Sequence, residues 1–141
     1  MRPLALALTA LAVSAVPPAE HDPLAEPIND VQLDDLFHQQ TPTSLDPLLE
    51  HQLVALAGTA LIADIAGHGR DRFVNYLPGP PPARAHTDVR VQAGVARQAT
   101  ATEVDVQLVW AGTDPTDRRL ERQHTTIRLA YGPDGWRPVA P

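Results

Sequence analysis

The sequence predicts an α+β domain in which N-terminal helices pack on an antiparallel sheet of about four strands. Between residues 31 and 65, apolar side chains recur at three- and four-residue steps, the period of an amphipathic helix. Residues 70–77, RDRFVNYL, form a short apolar element of undefined type. After a proline-rich linker at residues 78–84, apolar and polar side chains alternate through residues 85–141, the period of a strand. Because consecutive strands with short connections pair antiparallel, we expect a meander with the helices covering one face.

Residues 1–15 have the features of a secretory signal peptide. Arg2 precedes an apolar run that starts at Leu4, and Val13 and Ala15 fit the small-residue positions before a cleavage site. The run is shorter than the roughly 20 residues that span a bilayer. We therefore expect this segment to be removed on export, with an uncleaved anchor as the alternative, and no membrane span in the mature chain.

The mature chain is expected to start with a leader and to continue as a single domain. The leader, residues 16–27, is rich in acidic residues and proline. Proline disrupts the backbone hydrogen bonds of a helix because it lacks the N–H donor. Residues 28–141 then form the domain, with helices at residues 28–77 and strands at residues 85–141.

Residues 29–40 are predicted to form the first helix. Asn29 is suited to cap it, with Gln32 as the capping-box partner, and Pro42 disfavours helical backbone at the preceding residue. Its apolar side consists of Val31, Leu33, Leu36 and Phe37.

A second helix begins after Asp46. Asp46 is a favourable N-cap, Pro47 suits the first helical position, and Gly67 and Gly69 suit the end. The apolar stripe is wide, so we expect burial on most sides. It consists of Leu48, Leu49, Leu53, Leu56, Ala60, Leu61, Ile62, Ala63 and Ile65.

The strand region has three alternating segments and a short final strand. The faces predicted to be apolar are Val89, Val91, Ala93 and Val95, then Val104, Val106, Leu108 and Trp110, then Thr125, Ile127, Leu129 and Tyr131. The GPDG sequence at residues 132–135 predicts a turn that brings Trp136 beside Tyr131 or Leu129. Pro138 cannot donate to a ladder, so we expect the final strand at an edge.

Composition excludes several classes of function. The 141 residues include no cysteine and carry a formal charge of −6, which argues against thiolate chemistry and against a nucleic-acid partner. Residues 16–66 hold nine acids and no arginine. This charge favours an acidic helical layer on an arginine-bearing sheet, and the alternative is an acidic face that docks a basic partner.

The last strands resemble those of the NTF2-like superfamily, in which a long strand, a glycine-bearing turn and a tryptophan close the sheet. Here those positions are Ile127, Leu129, Gly132, Gly135 and Trp136. Among exported actinobacterial proteins, the pattern is similar to that of Mce-associated proteins. The resemblance covers roughly residues 85–139 and implies a curved sheet around a cavity. The chain is short for this family, so we expect the cone that the curved sheet forms around the cavity to be incomplete.

The superfamily shares a fold and not one activity, so membership does not fix the function. We expect an exported, non-catalytic binding or accessory module of the cell envelope. We expect its partner to be a protein or a small apolar ligand, with no cofactor and no metal. The alternative is a small enzyme of the SnoaL or ketosteroid-isomerase kind. In that case His86, Asp88 and His124 would supply the base in an apolar cavity.

Overall fold

The computed structural model describes residues 28–140. The signal-peptide and leader predictions, at residues 1–15 and 16–27, lie outside the described residues, as does Pro141. The described chain confirms the α+β class, with helices packed on a four-stranded antiparallel sheet.

The sheet is a simple meander whose strands follow one another in the order of the chain. Two α-helices and one short 3-10 helix precede it. The elements are α1 (Asp30–Gln40), α2 (Pro47–Ile65), the 3-10 helix (Arg70–Phe73), β1 (Thr87–Gln98), β2 (Glu103–Thr113), β3 (Arg119–Gly132) and β4 (Gly135–Val139).

Both helices begin as their sequences predict. Asn29 and Gln32 form a reciprocal capping box at the start of α1. The Asp46 carboxylate accepts the N–H groups of the second and third residues of α2, at 3.1 Å each. Gly67 follows the end of α2 with a φ of 82°, a left-handed conformation that glycine adopts without steric cost.

A bulge in β1 reverses the predicted alternation. Gln92 has no partner in the ladder with β2, and one extra residue moves all later side chains to the other face. Val89 and Val91 therefore contact the core beneath α2, whereas Ala93 and Val95 contact α1 on the opposite face. The prediction that these four residues share one face was wrong.

The Gln92 side chain holds the bulge in place. It is only 7% exposed, and its amide oxygen accepts the N–H of Arg122 at 3.0 Å. Its amide nitrogen donates to the carboxylates of Asp30 and Glu121. A buried amide with these partners stabilises an irregular ladder that alternation alone does not predict.

The two helices cover opposite faces of the sheet, not one face as expected. On one side, Leu33 and Phe37 of α1 pack on Ala93, Val95 and Val109. On the other side, α2 packs on the larger core. Its buried members are Leu53, Ala57, Ala60, Leu61, Ala63, Phe73, Ala96, Val104, Val106, Leu108, Trp110, Ile127 and Leu129.

Helix α2 lies directly on the backbone of β1. A β-carbon at Gly94 would lie only 2.5 Å from Cγ1 of Val54. Among the helices of residues 28–140, α2 alone is long and apolar enough to cross a membrane by length and composition. A helix that packs in a protein core has the same composition, and Leu53, Ala57 and Ala60 are buried against the sheet here.

Strand β4 forms an edge of the sheet, as Pro138 predicts. Pro138 pairs with Leu129, and Trp136 pairs with Tyr131. The two aromatic rings meet edge to face with centroids 5.2 Å apart. Gly135 has a φ of 92° at the turn, so the predicted hairpin and the position of Trp136 are both confirmed.

Candidate functional site

The structure does not gather His86, Asp88 and His124 in one place. The His86 ring packs edge to face on Trp110 at 5.8 Å, on the α2 side of the sheet. The His124 ring lies 6.3 Å from the Phe37 ring, on the α1 side. Asp88 is exposed at the start of β1, and its φ is 52°. The enzymatic alternative therefore gains no support from convergence of these groups.

Within residues 28–140, no cluster of three or more histidine, aspartate or glutamate side chains has an arrangement that could hold a metal ion. One cluster of polar side chains lies along the outer edge of β1.

We call this cluster the edge clasp, formed by Asp34, His38, Thr43 and Glu50. The Glu50 carboxylate is 7% exposed and accepts the N–H of Ala96 at 3.0 Å. The Asp34 carboxylate accepts the N–H of Gly94 at 3.0 Å, and the Thr43 hydroxyl donates to the Ala96 carbonyl. Since unpaired strand edges recruit other strands, these contacts protect β1 from pairing with another chain.

His38 joins the two helices inside the edge clasp. Its Nδ1 lies 2.9 Å from the Asp34 carbonyl oxygen, and its Nε2 lies 3.1 Å from Oε1 of Glu50. The Asp34 carbonyl oxygen and the Glu50 carboxylate are both hydrogen-bond acceptors, so both contacts are hydrogen bonds when the His38 ring carries two protons. Burial lowers the pKa of His38, but the Asp34 carbonyl and the charges of Asp34 and Glu50 outweigh it, and the pKa lies above 6.5.

The edge clasp has a structural role. A cleft of about 330 Å³ opens beside it between the two helices, with His51 on its rim. However, both ring nitrogens of His38 and both carboxylates already hold partners within the fold. His38 is half-buried because Glu50 lies across the gap between the helices.

The edge clasp predicts a pH dependence of stability. The folded-state pKa of His38 is raised, so its contribution is complete below the unfolded-state pKa and is lost as pH rises through the folded-state pKa. We expect His38→Gln to lower the free energy of unfolding at acidic pH by less than about 1 kcal/mol, since the pair is partly exposed. Urea denaturation across this pH range measures the effect.

The matched control is His51→Gln, which changes an exposed histidine on the rim of the same cleft. The difference in stability between wild type and His38→Gln should shrink as pH rises, whereas His51→Gln should show no such trend. A His38→Gln penalty that grows with rising pH would contradict protonation of the clasp.

A second site lies on the α2 side, between that helix, the segment after the 3-10 helix, and β4. We call it the aromatic groove, formed by Leu56, Phe73, Tyr76, Trp136 and Pro138. Its volume is about 300 Å³. Phe73 and Pro138 are buried beneath it, while Leu56, Tyr76 and Trp136 are half-buried.

The rings of the aromatic groove bring hydrogen-bond donors with no partner in the described chain. Within residues 28–140, neither the Trp136 indole N–H nor the Tyr76 hydroxyl has a hydrogen-bond partner. Burial and the negative charge of Asp64 raise the pKa of Tyr76, so its hydroxyl keeps its proton. By contrast, the buried Trp110 indole donates to the Thr125 hydroxyl at 3.0 Å.

Charged and apolar side chains flank the aromatic groove. The Arg72 guanidinium lies 5.4 Å from the centroid of the Phe73 ring, a cation–π distance. Asp134 and Arg137 also line the groove. Val74 lines the groove and Tyr131 contacts Trp136, and these two side chains are 61% and 60% exposed. Aromatic residues, arginine and exposed apolar side chains in one patch are typical of a surface that binds another molecule.

Comparison with protein-family models, with curated proteins and with solved structures finds no match for this chain.

Sequence reasoning located Trp136 but not the groove around it. The segment RDRFVNYL offered an apolar element of undefined type, and nothing in its spacing places Phe73 and Tyr76 against the last strand.

Proposed function

We propose that the chain is an exported, non-catalytic binding module of the cell envelope, with the NTF2-like superfamily as its proposed relationship. The observation that carries the binding role is the aromatic groove, where Trp136 and Tyr76 present ring donors beside an apolar surface. Its ligand is a proline-containing peptide segment of a protein partner. Export rests on the predicted signal peptide at residues 1–15.

Proline-rich peptides suit this site for physical reasons. In the polyproline II conformation the backbone makes no internal hydrogen bonds, so its carbonyls are free to accept from side chains. Grooves lined by aromatic rings bind such segments, because the proline rings pack on aromatic faces and little conformational entropy is lost. Trp136 and Tyr76 supply both the faces and the donors.

A non-catalytic role is supported by the positions of His38, His86 and His124. His38 has both ring nitrogens engaged, and the rings of His86 and His124 pack on opposite sides of the sheet. None of these three imidazoles borders the aromatic groove. A general base must reach the proton that it removes, and these rings face other residues.

Decaproline labelled with a fluorescent dye tests the proposed function by anisotropy in dilute protein. We expect the wild-type protein to bind this peptide. The double variant Trp136→Phe and Tyr76→Phe keeps an aromatic ring at each position and removes both donors, and it should bind about tenfold or more weakly. The control is His86→Ala with His124→Ala, which should leave affinity within about twofold. Equal loss in both variants, or no binding to wild type, would overturn the proposal.

A further inference from the structure

The two edges of the sheet differ in how their outward backbone groups are paired. At β1, the edge clasp accepts two backbone N–H groups and donates to one carbonyl. At β4, nothing in residues 28–140 makes a hydrogen bond to the backbone N–H or carbonyl groups of Trp136 and Pro138 that point away from β3. Both residues also line the aromatic groove, so the groove adjoins an open strand edge.

The register of the β3–β4 hairpin determines which backbone groups point outward. In an antiparallel pair, positions that exchange both backbone hydrogen bonds alternate with positions whose N–H and C=O point away from each other. Tyr131 is opposite Trp136, and the Tyr131 N–H donates to the Thr102 carbonyl at 2.8 Å, away from β4. Trp136 therefore points its N–H and C=O outward, and Pro138, two residues later, points its C=O outward.

Pro138 limits what can pair with the β4 edge. Because proline has no N–H, the edge offers one donor, the Trp136 N–H, and two acceptors, the carbonyls of Trp136 and Pro138. A second copy of β4 brings the same single donor, so it leaves one carbonyl of each copy without a partner. The edge instead suits an extended peptide that has backbone N–H groups at every second residue.

We propose that the peptide in the aromatic groove adds to β4 as a fifth strand, parallel to it, and that its prolines alternate with residues that keep their N–H. This inference rests on the proposed function and names the class of peptide that the same groove binds. The alternation follows from the edge, because two N–H groups two residues apart must reach the two carbonyls.

The parallel direction follows from the side on which the groove lies. In a parallel ladder, the residue opposite Trp136 points to the same face as Trp136, and the residues before and after it make the backbone hydrogen bonds. Trp136 packs on the α2-side core, beside the groove. Prolines opposite Trp136 and Pro138 therefore pack on the groove. In an antiparallel ladder the groove-facing residues would have to donate, which proline is unable to do.

A peptide of the same length as decaproline, in which alanine alternates with proline, tests the proposal by the same anisotropy measurement. We expect this alternating peptide to bind at least about tenfold more tightly than decaproline, because it supplies the missing donors. The matched control replaces each alanine with lactic acid, which keeps the side chain and exchanges the N–H for an ester oxygen. That control should bind at least about tenfold more weakly than the alternating peptide.

Amide hydrogen exchange locates the added strand on the protein. At saturating alternating peptide, exchange of the Trp136 backbone N–H should slow about tenfold or more. The adjacent Arg137 N–H is the control: Arg137 pairs with Ala130 inside the sheet and should change little. A nitroxide on the amino end of the peptide should broaden the resonances of Gly135 more than those of Val139, since the two strands run parallel.

Equal affinity for the three peptides, unchanged exchange at Trp136, or stronger broadening at Val139 than at Gly135 would each overturn the inference. Sedimentation velocity on the free protein should show a monomer, and a dimer whose Trp136 N–H is already protected would mean that a second copy fills the edge. If decaproline still binds in any of these cases, the proposed function stands and only the strand addition fails. If no peptide binds, both fail.

Discussion

Truncation of Trp136 to alanine is expected to lower the free energy of unfolding by about 2–4 kcal/mol. Full truncation of a buried tryptophan costs about 3–5 kcal/mol, and this indole is half-buried against the α2-side core and the Tyr131 ring. The melting temperature should fall by roughly 10 °C, a large change for a domain of this size. Thermal unfolding followed by circular dichroism measures it.

Trp136→Phe is the matched control, because it keeps an aromatic ring on the core and should lose less than half as much stability. His124→Ala, an exposed ring on the other side of the sheet, should be mild. If Trp136→Ala melted like wild type but no longer bound decaproline, the indole would be a groove wall alone and would not close the sheet.

Replacement of Glu50 with leucine is expected to cost about 2–4 kcal/mol and to cause self-association. The leucine leaves the Ala96 N–H without its acceptor, at a cost of about 1–3 kcal/mol, and it removes the His38 partner. It also exposes part of the β1 edge to pairing with other chains. Urea denaturation and light scattering report the two effects separately.

Glu50→Gln tests the cause of that loss. The glutamine amide has the same shape as the carboxylate, and its oxygen is still able to accept the Ala96 N–H. The variant should therefore retain most of the stability and remain free of aggregates. A leucine variant as stable and as free of aggregates as the glutamine variant would show that the edge clasp contributes nothing to the protection of β1.

Local features of the fold were predictable because they depend on neighbouring residues. Asn29 and Asp46 cap helices through contacts within three residues, and Gly135 allows the turn that returns Trp136 to Tyr131. Alternation also predicted the inner faces of β2 and β3. It failed in β1, where Gln92 forms a bulge whose partners lie 30 and 62 residues away along the chain.

The sites were harder to predict, because each depends on contacts between distant segments. Glu50 looks like a surface residue of an amphipathic helix until the edge of β1 is placed beside it. Tyr76 and Trp136 line one groove although they lie 60 residues apart in the chain. Neither contact leaves a sign in the local sequence, since both residues suit their local positions equally well without it.

The two tryptophans allow the most direct test of the binding role. The Trp110 indole N–H donates to Thr125 within the core, whereas the Trp136 indole N–H has no partner in residues 28–140. In an NMR titration with decaproline, we predict that the Trp136 indole resonance moves and saturates while the Trp110 resonance stays in place. If both resonances stay in place, or only that of Trp110 moves, the aromatic groove is not the binding site.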